Sequence, residues 1–389
     1  MNIVARAPTE STARIYWTAF IGLFFDYYDL YLFIYLEKAL AARFSLDGNA
    51  SHWIQFAALA AVGMGSLSFG YLADRWGRGR VMLAVFVVYA IGVTGISLAS
   101  SVTGLVVARV VASMALGAEW GISHAYLAER IGPERRYRLA ALLQFSLLGG
   151  LLAALAARFG VPLIGWRFLF ALSIVPVAIL SAVRWRSLSS SAAPAGPASE
   201  PLPPLMRSIA DNAGPFAFCL ALASLSIASG TMNVFLSKEL PQSPWFPVAF
   251  WGALVPGMLL GTAGVRRFGV GPTLGAYAIG VMVLAVTVWF SAAADRAAIF
   301  SIVLSFLNGI PFGLMGALFN EMFSGYRTML SGAAYNLGRI VAGFSPVLIT
   351  TLGLNRDGNY FLFTAALGAA VLAMAVGLTL RRRAPTAAR

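Results

Sequence analysis

The 389-residue chain is 59% hydrophobic and 11% charged, with a mean hydropathy of +0.79. Soluble domains carry about 25% charged residues, so this composition excludes an ordinary soluble enzyme and indicates a polytopic membrane protein. The net charge of +13 would suit nucleic acid, but the basic residues divide by membrane side instead.

Stretches of roughly 20 apolar residues, enough to span a bilayer, fall at 15–36, 51–73, 80–100, 103–129, 138–158 and 163–184. Six more fall at 208–236, 245–265, 270–292, 297–321, 328–352 and 359–380. The expectation is an all-α membrane protein of twelve transmembrane helices. With the N-terminus inside, most of the 28 Lys and Arg residues fall on the cytoplasmic side, such as Arg6, Arg14, Arg75, Arg78, Arg80, Arg130, Arg135 and Arg136. Fewer, such as Lys38, Arg43 and Arg158, fall outside. This is the positive-inside bias, and it places both termini in the cytoplasm. The basic charge then orients the protein and meets anionic lipid, with no nucleic-acid partner. No cleavable signal peptide is expected, because the first apolar stretch carries Asp26 and Asp29. The single Cys219 is expected to pack between helices.

The first span reads Gly22-Leu-Phe-Phe-Asp26-Tyr27-Tyr28-Asp29. Its acids stand at i and i+3 on one helix face, near mid-bilayer. An ionisable group there should face the bundle interior and a partner. Such an acid suits a proton carrier, neutral while loaded and charged when paired or hydrated; a structural acid pair is the alternative. Between the second and third spans runs Gly70-Tyr-Leu-Ala-Asp74-Arg75-Trp-Gly77-Arg78-Gly79-Arg80, a connection too short for a translocated domain. Asp74 there should meet the free N–H groups of the third span's N-terminus, or an arginine of the other half. The fourth span carries Arg109 and, ten residues on, Glu119, which is about 15 Å nearer the cytoplasm by helical rise. An Asp29–Arg109 pair would satisfy two otherwise expensive charges, with Glu119 as a second proton stop or gate. The loop that follows holds Glu129, Glu134, Arg135 and Arg136.

Residues 185–207 are rich in Pro, Ser, Ala and Gly and read as a flexible cytoplasmic linker. It separates an N-terminal six-helix half (1–184) from a C-terminal six-helix half (208–389). Gly261-Thr-Ala-Gly-Val265-Arg266-Arg267-Phe268-Gly269 occupies the position after span eight that Gly70–Gly77 occupies after span two, a weak internal repeat. Further on come Glu321, Arg327, Gly332, Tyr335, Asn336 and Arg339. Arg339 lies about ten residues into its span and shares a face with Asn336 at i and i+3. A buried guanidinium beside an amide and a phenol makes a carboxylate clamp, unless Arg339 snorkels or pairs with a neighbouring helix. Tyr28, Gln55, Gln144 and Asn308 are further candidates for substrate contact. His52 and His124 are too far apart for a metal pair and read as local hydrogen-bonding residues. No metal or cofactor is expected, and neither a nucleotide-binding loop nor a catalytic cluster is present.

The Gly70–Arg80 stretch resembles the loop signature of the major facilitator superfamily, G-x-L-A-D-R-x-G-R-[KR]-[KR]. Gly22–Phe33, Arg109–Gly121 and Glu321–Pro346 resemble runs of its metabolite:proton and sialate/lactate:proton symporters. In this chain Ala112 and Ser113 stand where that pattern has Gln and Gly, and Ser324 where it has Pro. The resemblance implies a secondary transporter rather than an enzyme. It would be a monomer in the inner (plasma) membrane that takes up a small organic anion, a carboxylate by its charge logic, with protons by alternating access. Asp26, Asp29, Arg109 and Glu119 would couple protons. Arg339, Asn336, Tyr335, Tyr28, Gln144, Gln55 and Asn308 would bind substrate. Asp74, Arg75, Arg78, Glu129, Arg135, Glu321 and Arg327 would form a cytoplasmic gate. A neutral or zwitterionic solute, export by antiport, and a ligand sensor remain as alternatives.

Overall fold

The structure is a computed structural model that describes residues 12–46, 48–130, 133–190, 202–239, 243, 245–291, 296–344 and 359–383. Among these residues there are helices and no strand, as the apolar runs require where every backbone group must be satisfied internally. The N-terminal helices are α1 (Thr12–Tyr35), α2 (Glu37–Phe44), α3 (Gly48–Trp76), α4 (Arg78–Leu98) and α5 (Val102–Arg130). The chain continues as α6 (Pro133–Gln144), a 3-10 turn at Phe145–Leu148, α7 (Gly149–Leu155), α8 (Val161–Ala171) and α9 (Ile174–Ser190). Then come α10 (Leu205–Asp211), α11 (Ala213–Glu239), α12 (Phe246–Gly252) and α13 (Leu254–Phe268). The last are α14 (Val270–Trp289), α15 (Arg296–Met322), α16 (Arg327–Gly343) and α17 (Asn359–Arg383).

Nine helical stretches among the described residues are long and apolar enough to cross a membrane, or ten if α1 and α2, bent by 61°, form one span. One of them, Arg135–Val183, covers 49 residues, a length sufficient for two passes. The expected span at 328–352 begins as α16, but 345–358 lie outside the described residues, as does 191–201 of the expected linker. Large apolar side chains such as Ile91, Val107, Ile279 and Val283 stay exposed on these helices, where a soluble protein would place polar ones.

The chain divides into two compact units. One comprises Met1–Arg136, Ser146–Phe216 and Phe319–Asn336; the other comprises Tyr137–Phe145, Ala217–Leu318 and Leu337–Arg389. In the first unit, α3 and α5 pack at backbone distance. A methyl group on Gly65 would fall 1.9 Å from the Met114 carbonyl oxygen, and one on Gly117 would fall 1.9 Å from that of Val62. The second unit repeats the device between α13 and α15. A methyl group on Gly257 would meet the Phe306 oxygen at 1.9 Å, and one on Gly309 that of Leu254 at 2.3 Å.

The turns repeat as well. Gly77 joins α3 to α4 at φ 93°, and Gly269 joins α13 to α14 at φ 87°. Each stops its helix with a backbone bond to the residue four before it, Ala73 and Val265 respectively. A positive φ of this kind favours glycine, so the weak sequence repeat is the trace of one backbone turn used in both units.

Candidate functional site

The first cluster surrounds Asp29. Asp26 and Asp29 lie on the buried face of α1. The Asp29 carboxylate accepts hydrogen bonds from Tyr89 of α4 and, at 2.9 Å, from Ser173 between α8 and α9. Arg109 of α5 is buried too, its guanidinium 4.3 Å above the Phe33 ring. Among the described residues no direct ion pair joins Asp29 to Arg109. The expected Asp29–Arg109 pair is therefore corrected. Two hydroxyls hold the carboxylate, and an aromatic face one turn along α1 holds the cation. Tyr28 turns its hydroxyl to the Leu169 carbonyl at 2.8 Å, which engages the group expected to meet substrate.

The second cluster gathers around Asp74, whose side chain is 1% exposed. Its Oδ1 accepts from the Thr328 N–H at 3.1 Å and its Oδ2 from the Met329 N–H at 2.9 Å. Those are the second and third N–H groups of α16, within the first turn, which has no acceptor inside its own helix. The carboxylate thus caps α16 and not the third span, α4, as the sequence reading first offered. Arg78 reinforces it, pairing with Asp74 at 2.9 Å and with Glu129, and donating from Nε to the Thr328 hydroxyl at 2.7 Å. Of the other expected gate residues, Arg75 is exposed with its guanidinium 5.2 Å from the Tyr71 ring, and Arg327 donates to the Phe323 carbonyl at 3.3 Å. Glu321 pairs at 3.4 Å with Arg136, whereas the expected Arg135 is exposed.

The third cluster continues along α16. Gly121 of α5 and Gly332 of α16 cross so closely that a methyl group on Gly121 would meet the Gly332 Cα at 2.9 Å. One turn on, Asn336 donates its amide to the Gly117 carbonyl at 2.8 Å and to that of Gly332 at 3.0 Å. Tyr335 stacks on Trp120 with ring centroids 3.9 Å apart and planes 2° from parallel. Its hydroxyl lies 3.2 Å from that of Tyr27. Residues four apart on α5 thus meet residues four apart on α16, which run antiparallel. Asn336 and Tyr335 were expected to hold a carboxylate; here they fasten α16 to α5 and α1. His124 packs against Trp120 with centroids 4.6 Å apart, and the side chain of His52 lies outside those described.

In the second unit, Asn308 accepts from Ser229 at 3.0 Å and from Tyr277 at 3.1 Å through one oxygen. Its carbonyl is spent on joining α11, α14 and α15. Arg339 and Gln144 are buried, and Gln55 on α3 is half-buried. Among the described residues no cluster has the makings of a metal site. Sequence reasoning missed Tyr89, Ser173 and Thr328. Tyr89 and Ser173 sit in apolar runs with no motif around them, so only the packing reveals them.

The chain matches the Major Facilitator Superfamily model over residues 19–346 and belongs to that family. It is 27% identical over 374 residues to a cis,cis-muconate transport protein of Acinetobacter baylyi, with 90% of each chain covered. It is 26% identical over 388 residues to a protein of Bacillus subtilis named as a candidate niacin/nicotinamide transporter, NiaP, with 94% of each covered. Among solved structures it resembles the proton:xylose symporter XylE, with a TM-score of 0.73, 16% identity and 96% of each chain covered. That likeness establishes the fold. The protein is a membrane transporter of this superfamily and not an enzyme.

Proposed function

We propose that the protein takes up a small organic anion, a carboxylate, by proton-coupled symport in the cell inner membrane. The observation that carries the coupling is the buried Asp29, whose carboxylate is held by the Tyr89 and Ser173 hydroxyls. A proton arriving on Asp29 removes the charge to which Tyr89 and Ser173 donate, so loading and conformation become linked. The buried Arg339 supports an anionic substrate. The relatives' names agree in part, since muconate and niacin are carboxylates while nicotinamide, printed beside niacin, is a neutral amide. Twelve spans, halves at 1–184 and 208–389 joined by a linker, and cytoplasmic termini complete the reading. The test is uptake into proteoliposomes of a panel containing mono- and dicarboxylates, sugars and betaines. Uptake of a carboxylate supports the proposal, and uptake of sugars or betaines alone overturns it.

In this reading Asp74 latches α16 while the cytoplasmic side is shut. Asp74→Asn keeps one acceptor oxygen but loses the charge facing the α16 N-terminus and Arg78. Charge-assisted bonds of this kind contribute about 1.5–3 kcal/mol, so turnover should fall about tenfold or more with substrate affinity little changed. Kinetics of counterflow beside equilibrium binding checks this. A collapse of affinity with unchanged turnover contradicts the latch.

A further inference from the structure

Glu119 of α5 is 1% exposed, and Ser123, one turn on, donates to its Oε1 at 2.7 Å. The same oxygen sits against Gly22 of α1. A methyl group at Gly22 would come within 2.9 Å of Glu119 Oε1 and within 2.9 Å of the Phe86 ring. Gly22 is an ordinary helical residue, so the absence of a side chain there serves space and not backbone conformation. Gly22 lies one turn before Asp26 and two before Asp29, on the same face of α1. By helical rise the notch stands about 6 Å from the level of Asp26 and about 10 Å from that of Asp29. The carboxylate of Glu119 is thus brought onto the face of α1 that carries both acids.

We propose that Gly22 and Ser123 are positioning residues for Glu119, holding its carboxylate as the proton-accepting group that follows Asp26 and Asp29 along α1. The inference rests on the proton-coupled reading above. In each transfer one O–H bond breaks at the donor carboxyl and one forms at the acceptor carboxylate, so charge moves and no other reactant is needed. Gly22 supplies the room, and Ser123 fixes which way the carboxylate points.

The test uses the full-length protein in proteoliposomes, comparing carboxylate accumulation under an inward proton gradient with counterflow exchange, which needs no net proton movement. Gly22→Ala should lower accumulation about tenfold, equivalent to about 1.4 kcal/mol, and leave counterflow within about twofold. Ser123→Ala, which adds no atoms, should lower accumulation in the same selective way. Glu119→Asp is one methylene shorter and withdraws the carboxylate from the added methyl group, so placing it in the Gly22→Ala background should restore accumulation. Adding Gly22→Ala to Glu119→Gln should cause no further loss. The inference is overturned if Gly22→Ala lowers accumulation as much in the Glu119→Gln background, or if counterflow falls in proportion, since either result reduces Gly22 to packing against Phe86. It is also overturned if Ser123→Ala accumulates normally. Failure of the parent protein to accumulate any carboxylate under the gradient instead contradicts the coupling reading itself.

Discussion

Asp29→Asn is expected to abolish accumulation driven by a proton gradient while leaving counterflow exchange measurable. One proton moving down about two pH units supplies about 2.7 kcal/mol, enough for about 100-fold accumulation. With the Asp29 step of the proton path removed, that ratio should fall to about one. Asparagine copies the protonated carboxyl in shape, and its oxygen can still accept from Tyr89 and Ser173. The helices around it should therefore keep their packing, and exchange of substrate should proceed. The measurement is labelled carboxylate uptake into proteoliposomes, with and without the gradient, beside counterflow in the same vesicles. Normal gradient-driven uptake by both Asp26→Asn and Asp29→Asn would remove the α1 acids from the coupling and pass the role to Glu119.

Arg339→Gln should lose substrate binding almost entirely. Arg339 is 8% exposed on α16, and its planar fork of N–H donors matches a carboxylate in both charge and geometry. The amide donors of Asn336 are already spent on the Gly117 and Gly332 carbonyls, so on the proposed function the anion contact falls to Arg339. Arg339→Lys keeps the charge but loses the planar fork, and should weaken binding at least about tenfold, or about 1.4 kcal/mol. An esterified or amidated analogue should bind the parent poorly and be less sensitive to both substitutions. Calorimetry or tryptophan quenching in detergent, with a check that each variant remains folded, reads these effects. If the neutral analogue competes as well as the acid, the clamp is wrong and a sugar or zwitterion becomes the better substrate class.

The helices were legible because bilayer-length apolar runs are a local property. α3, α4, α5, α14 and α15 lie within a few residues of the expected spans. The Gly77 and Gly269 turns were legible for the same reason, since a glycine between two apolar runs marks the backbone position where φ is positive. What pairs with what was not. Asp74 stands next to α4 in sequence, but its N–H partners are Thr328 and Met329, more than 250 residues on, and no local pattern encodes that choice. Consecutive arginines on a helix point about 100° apart, so packing and not composition gives Glu321 to Arg136. Asn336 and Tyr335 look like ligand groups by chemistry alone, and only the Gly117–Gly121 ridge of α5 shows that they also fasten helices.

On the proposed function, carboxylate movement is tied to proton movement. Its most direct measurement follows a weakly buffered proteoliposome interior with a pH-sensitive dye while a carboxylate is added outside, with no gradient imposed at the start. Symport predicts that substrate entry acidifies the interior, that Asp29→Asn removes the signal, and that a proton gradient imposed afterwards concentrates the substrate until a protonophore releases it. Substrate entry without any change of internal pH, or with the interior turning alkaline as antiport would make it, would contradict the account.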